Sequence, residues 1–225
     1  MRIQRFVDLS IVVDPHTQVY PGDPRPTISV ATTIDSHGYN LLSLQLGSQT
    51  GTHVDSPYHF LDSGSRLEDC ELSLFVGPAL IVDVRGHGPR QPIEWSEIGL
   101  RASTLGDRAI VALHTGWSDA HYGSTGYFDH PFLDGEACRR LFDLGARTIL
   151  IDCPNLDETI LDGREPDFSC HHHIAAAGGI ISENITNLAA VDFPDPFVSI
   201  LPIRLGGDAD GAPCRAVALE LEAGR

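Results

Sequence analysis

Two side chains able to hold a metal ion stand one residue apart in the stretch Gln49-Thr50-Gly51-Thr52-His53-Val54-Asp55-Ser56-Pro57-Tyr58-His59-Phe60. It follows an alternating run, Leu42-Ser43-Leu44-Gln45-Leu46. Successive side chains of a strand point to opposite faces, so the leucines are expected to face a core. The odd positions Gln49, Gly51, His53 and Asp55 would then face the other way, with imidazole and carboxylate side by side. Pro57 cannot continue a central ladder, so the strand is expected to end there and leave His59 in a loop beside the site. Imidazole together with carboxylate suits zinc, manganese or iron better than calcium.

A His-x-Asp pair alone also fits an ordinary surface strand. Gly51 and Thr52 shift the balance, because they let the backbone approach something closely. A second polar cluster, His171-His172-His173, lies downstream, with Glu183 beyond it. Consecutive helical residues do not share a face, so at most one or two of the three histidines can point at one ion. The competing reading is exposed polar surface at a helix start, where the dipole disfavours a charged imidazole. Glu183 is flanked by Ile180, Ile181 and Ile185, and a buried carboxylate needs a cation or strong donors. The chain lacks G-x-S-x-G, H-E-x-x-H and G-x-G-x-x-G motifs. Cys170 beside His171 leaves a Cys–His nucleophile open, but a metal-activated water accounts for more of the residues.

The elements that must position these residues are legible as apolar runs. Strands are expected in Phe6 to Val13 (well buried), Thr27 to Ile34, Ala79 to Val84, Ala109 to Thr115, Thr148 to Ile151 and Ile180 to Ile185. Gly135 to Ala146 is the clearest amphipathic helix, capped by Asp134, and a second helix is expected from His171 to Gly178-Gly179. Tyr20-Pro21-Gly22-Asp23-Pro24 is a rigid turn, either a connector or a pocket wall carrying Tyr20 and Asp23. Phe197 to Leu205 and Arg215 to Leu221 read as a terminal hairpin around Gly206 to Gly211, a turn lacking the later ligands of a calcium loop. No linker or repeat interrupts residues 1–225, so we expect one mixed α/β domain rich in strands.

Composition narrows the function. The 42% hydrophobic and 20% charged residues are those of an ordinary soluble globular protein. A formal net charge of −16 argues against nucleic acid or an anionic membrane as partner. All 15 basic residues are arginine, which excludes lysine Schiff-base chemistry and a P-loop. Five scattered cysteines without C-x-x-C spacing suit a reducing compartment. With no signal peptide and no apolar run long enough to span a bilayer, the expected location is the cytoplasm.

The stretch Thr50 to Phe60 resembles the signature H-x-G-T-H-x-D-x-P-x-H of the metal-dependent cyclase-like family, which includes the bacterial type of kynurenine formamidase and isatin hydrolase. The likeness extends to Asp8-Leu9-Ser10, Tyr20-Pro21-Gly22-Asp23, Thr115-Gly116-Trp117, Asp152 to Asp157 and the His171 to Glu183 segment. It implies a swivelling β/β/α-type fold, a homodimer or homotetramer, and one or two divalent ions, Zn2+ or Mn2+, per subunit. Carried over residue by residue, it makes His53 and Asp55 metal ligands, with Asp55 able to bridge two ions. His171 and Glu183 would complete the second ion's shell, and His59 would be the general acid/base.

Gln49 stands where the motif has its first His. An amide oxygen binds zinc less well than imidazole and shifts preference toward manganese or magnesium. The expectation is a first metal position that is weak or empty; the competing one is an amide bonded to a metal-bound water. The implied activity is an arylformamidase-like hydrolase opening an amide, lactam or N-formyl group of a small, cyclic or aromatic substrate. Its metal would lower the pKa of a bound water toward ~7. His59, with an ordinary pKa near ~6.5, would pass a proton to the leaving nitrogen. The alternatives are a metal-dependent cyclase and a small-molecule binding protein, the latter needing no acid/base at His59.

Overall fold

The apolar runs form the middle of one large sheet. The computed structural model describes residues 2–222; Met1 and 223–225 of the expected 1–225 domain lie outside the described residues. The chain begins with β1 (Arg2–Asp8), β2 (Thr27–Thr32), the short α1 (Ile34–His37), β3 (Leu41–Gln45) and β4 (His53–Asp55). It continues through β5 (Val76–Asp83), β6 (Pro92–Ile93), α2 (Trp95–Ala102), β7 (Ile110–His114) and α3 (Trp117–His121). Then come β8 (Phe132–Leu133), α4 (Gly135–Asp143), β9 (Thr148–Ile151), α5 (Ser169–Ala176) and β10 (Ile180–Glu183). The last elements are β11 (Phe197–Ser199), β12 (Gly211–Pro213) and β13 (Val217–Glu222). This is the expected strand-rich, mixed α/β single domain.

Among the described residues, one sheet holds nine strands in the order β1-β13-β11-β5-β7-β9-β10-β4-β12. Its centre, β5-β7-β9-β10, is parallel. Such strands are covered on both faces, so they are continuous apolar runs rather than alternating ones. Leu80, Val82, Val111, Leu113, Ile149, Ile151 and Ile181 pack with residues of α2, α4 and α5 in one core. Ala79, Ile110, Ala112, Leu150 and Ile180 pack on the opposite face with Val54, Phe75 and Ile200. Each fully buried Leu or Ile contributes about 1.5–3 kcal/mol relative to exposure. The helix over Gly135–Asp143 is capped as expected, the Asp134 carboxylate accepting the N–H groups of Glu136 and Ala137.

Three expectations fail. The leucine run does not lead into the His53 strand: β3 pairs with β2 in a separate two-stranded sheet. Leu42 and Leu44 are more than half exposed. Alternation there marks a hairpin standing off the body, and the chain turns at Gly47–Thr50 before β4 begins. Gly51, at φ +66°, is a required glycine, since a Cβ there would sit 2.9 Å from Val13 Cγ2. The first strand is an edge that ends at Asp8, leaving Phe6 and Val12 exposed rather than buried. The Gly206 to Gly211 segment is more than a turn: Gly211 opens β12, which pairs with β4.

His130 is buried, its Nδ1 donating to the Pro131 carbonyl and its Nε2 accepting from the Thr159 hydroxyl, both at 2.8 Å. Burial pushes its pKa down to about 4. As pH falls below ~6.5 the unfolded chain takes up this proton and the folded chain does not. Stability is therefore lost between about 6.5 and 4, by up to about 3 kcal/mol. Urea unfolding of wild type and His130→Gln at pH 7.5 and 5 should show the smaller pH dependence in the variant; equal slopes would refute this.

Candidate metal centre and active site

Strand pairing brings the first three groups together. β4 lies between β10 and β12, antiparallel to both. His53 stands opposite Glu183, and Asp55 opposite Ile181, so the three polar side chains share one face of the sheet. Val54 points the other way into the core. That shared face is the helix side, and α5 adds His171. His53, Asp55, His171 and Glu183 are all buried. The other two helix histidines turn away, His172 exposed and His173 half-buried, as the helical period requires.

The two imidazoles are oriented from behind. His53 Nδ1 donates to the Gly51 carbonyl at 2.8 Å. The Asp157 carboxylate accepts the backbone N–H groups of Cys170 and His171 at 2.9 and 3.0 Å, in the first turn of α5. A helix N-terminus favours such an anion. The same Asp157 Oδ2 lies 2.6 Å from His171 Nδ1. Both rings therefore turn Nε2 toward the carboxylates, the arrangement metal-binding histidines need.

His53 Nε2 lies 3.5 Å from Asp55 Oδ1 and 3.6 Å from Glu183 Oε2. His171 Nε2 lies 3.7 Å from Asp55 Oδ2 and 3.3 Å from Glu183 Oε1. Each carboxylate thus offers one oxygen to each imidazole. Ligands at ~2.0–2.1 Å from a tetrahedral ion are themselves roughly 3.3–3.4 Å apart, close to these separations. Single ligand atoms of His53, Asp55 and Glu183 lie within 4.8 Å of one another. Asp55 Oδ1 is buried without a hydrogen-bond partner among the described residues, and only a cation or strong donor offsets its desolvation.

The electrostatics agree. Burial opposes charge on His53, but the Glu183 hydrogen bond and the Asp55 charge hold its pKa up at about 9. Burial likewise opposes charge on His171, and Asp157 and Glu183 outweigh it, at about 10. Burial pushes Asp55 up, with His59 and His53 opposing, whereas the two imidazoles hold Glu183 low despite its burial. With both imidazoles neutral, Asp55 and Glu183 carry two negative charges, the complement of one divalent cation. Nitrogen and carboxylate donors in equal number fit zinc or manganese.

Beside this cluster, the Pro57–His59 turn breaks the strand where expected. It sets His59 on the wall of a cavity of ≈ 360 Å³ that has the four candidate ligands at its base. Tyr20 and Asp23, the expected pocket wall, line it too, with the aromatic rings of Phe60, Phe128 and Phe168. His59 Nδ1 lies 3.0 Å from Asp210 Oδ2. Burial opposes charge on His59, but Asp210 raises its pKa; that same contact helps hold Asp210 at about 2 against burial. Gln49 also reaches the cavity, and its Nε2 donates to Asp210 Oδ2 at 3.0 Å.

Asp210 and Asp157 were missed as functional residues in the sequence. Asp157 lies in a recognised landmark without a role attached. Asp210 sits in a Gly/Asp-rich loop whose composition signals only a turn, and only the pairing of β12 with β4 brings it to His59. Because Asp157 fixes His171, Asp157→Asn should lower metal affinity by about 10–100-fold. Titration of the metal-free variant with Zn2+ or Mn2+ checks this; unchanged affinity would show that His171 needs no such support.

The Cyclase family model, described as "Putative cyclase", matches residues 7–158. A kynurenine formamidase from Salinibacter ruber is 31% identical, over 94% of this chain and 96% of its own. Among solved structures, isatin hydrolase A from Labrenzia aggregata, bound to benzyl benzoate, superposes with a TM-score of 0.84 at 21% identity. The match covers 97% of this chain and 94% of that one. A potential metal-dependent hydrolase with cyclase activity superposes with a TM-score of 0.74 at 24% identity, over 97% and 99% of the two chains.

Proposed function

The chain belongs to the Cyclase family, and on that premise we propose that it is a metal-dependent amidohydrolase acting on a non-peptide C–N bond. The substrate is a small aromatic or cyclic molecule carrying an N-formyl, amide or lactam group, as the name kynurenine formamidase describes for a relative. The observation that carries this reading is the convergence of His53, Asp55, His171 and Glu183 at the base of a cavity with His59 on its wall.

His53, Asp55, His171 and Glu183 hold one or two divalent ions, Zn2+ or Mn2+, in this reading. When bound, such an ion supplies Lewis acidity and lowers the pKa of water. The chain's own residues do the rest. Phe60, Phe128, Phe168 and Tyr20 offer ring faces and edges to an aromatic substrate and exclude bulk water. His59, with Nδ1 held by Asp210, presents Nε2 as a proton acceptor and returns the proton to the leaving nitrogen. A pure binding protein needs no such group, so the Asp210-backed imidazole favours the enzyme.

The test is turnover of N-formylkynurenine and of isatin by protein loaded with Zn2+, loaded with Mn2+, or treated with chelator. Metal-dependent turnover of either substrate supports the reading; binding without turnover under every loading would favour the binding protein. We also propose a homo-oligomer. The exposed Val30, Leu42 and Leu44 of the β2–β3 hairpin are a surface that self-association would cover, and light scattering would show a monomer if this is wrong.

A further inference from the structure

We propose that Gln49 is not a metal ligand, and that Asp210 and Gln49 are positioning residues for His59; this rests on the acid/base reading of His59 given above. A single oxygen, Asp210 Oδ2, receives both neighbours: His59 Nδ1 at 3.0 Å and Gln49 Nε2 at 3.0 Å. An imidazole nitrogen facing a carboxylate oxygen at that distance carries the proton, which leaves Nε2 as the free lone pair. Gln49 Nε2 is 3.4 Å from His59 Nδ1 as well, so the amide lies along the edge of the ring and Asp210 together. The Gln49 Oε1 is buried without a hydrogen-bond partner among the described residues. Turning the amide over would set that oxygen against the carboxylate, so the charge on Asp210 selects the observed orientation.

The backbone holds the pair in place. Ser56 donates its N–H and its hydroxyl to the Asp210 carbonyl at 2.9 and 3.0 Å. The next residue, Gly211, pairs with Asp55 across β12 and β4. A Cβ at Gly211 would lie 2.4 Å from the Val54 carbonyl oxygen and 2.7 Å from Gln49 Nε2. Glycine there lets β12 approach β4 and leaves the space the Gln49 amide occupies. The residue that departs from the family motif is therefore recruited to Asp210, which places it two hydrogen bonds from the His59 ring, rather than to an ion.

The direct test is the tautomer of His59 by 15N-detected NMR of the metal-loaded protein, read in wild type, Asp210→Asn and Gln49→Leu. Wild type should show Nδ1–H with Nε2 unprotonated, and Asp210→Asn should lose that preference. An Nε2–H tautomer in wild type would overturn the proposal whether or not any substrate turns over. In kinetics, Asp210→Asn should lower kcat by about 10–100-fold, at or below the lower end of a direct acid/base effect because Asp210 acts through His59. KM and metal content should stay within two-fold or so of wild type. In a His59→Ala background the same change should have no further effect, because residues acting as one unit are not additive. A full additional loss there, or loss of metal with Asp210→Asn, would make Asp210 structural instead. Gln49→His should lower kcat without raising metal content per subunit; an additional bound ion would place position 49 in the coordination shell and sink the proposal. If the tautomer is as expected and no amide, lactam or formamide is turned over, the assigned function fails while the positioning stands.

Discussion

We expect His59→Ala to lower turnover by about 10²- to 10⁴-fold while leaving metal binding intact. The size of the loss is that of a missing general acid/base, and the retention of metal follows from geometry. His59 directs Nδ1 to Asp210 and lies on the cavity wall, whereas the ligand atoms that cluster belong to His53, Asp55 and Glu183, with His171 closing the other side. Metal analysis and steady-state kinetics on the same preparation decide the matter. Loss of metal and turnover together would make His59 a ligand and remove it from proton transfer.

Glu183→Gln has the largest expected effect on the metal itself. Glu183, like Asp55, faces both imidazoles, with Oε2 toward His53 and Oε1 toward His171. It also accepts the Leu156 N–H at 2.7 Å through Oε1, a bond that the amide oxygen of Gln can keep. The substitution therefore removes charge and one donor oxygen while preserving that backbone contact. Metal affinity should fall by at least about 100-fold, the upper range seen when only an outer partner is lost. At a metal concentration 100 times the wild-type Kd, wild type gains about 2.7 kcal/mol of stability and the variant about 0.4 kcal/mol or less. Thermal melting with and without metal measures the difference; an equal shift in both proteins would exclude Glu183 from the site.

Much of the site was readable in the chain because its strongest signal is local. His53 and Asp55 share a face for the reason expected, strand alternation, and Pro57 ends the strand before His59. Glu183 was recognisable because a carboxylate among isoleucines must be compensated. His171 could be limited to one or two of three neighbours by the helical period, but which one faces the carboxylates depends on Asp157 at the start of α5. What escaped the sequence is long-range. Asp210 reaches His59 only through the β12–β4 pairing, and a Gly/Asp-rich loop shows no sign of that. The fold errors have the same origin: Leu42 and Leu44 alternate as buried residues do, yet among the described residues their hairpin pairs only with itself. Alternation reports a strand with two different faces; it does not report what lies against either of them.

The place of β4 in the sheet has a consequence for how the protein is made. This strand of three residues, His53–Asp55, is flanked by strands from Ile180–Glu183 and Gly211–Pro213, so neither of its neighbours exists until most of the chain has been synthesised. Contacts of such sequence separation are closed late and slowly. A chain that has emerged only through β9 contains the parallel strands β5, β7 and β9, yet it holds His53 and Asp55 without the strands that flank them in the sheet. Completion of the candidate metal centre therefore waits for α5 and β10, and a product truncated after β9 would carry only two of the four candidate ligands.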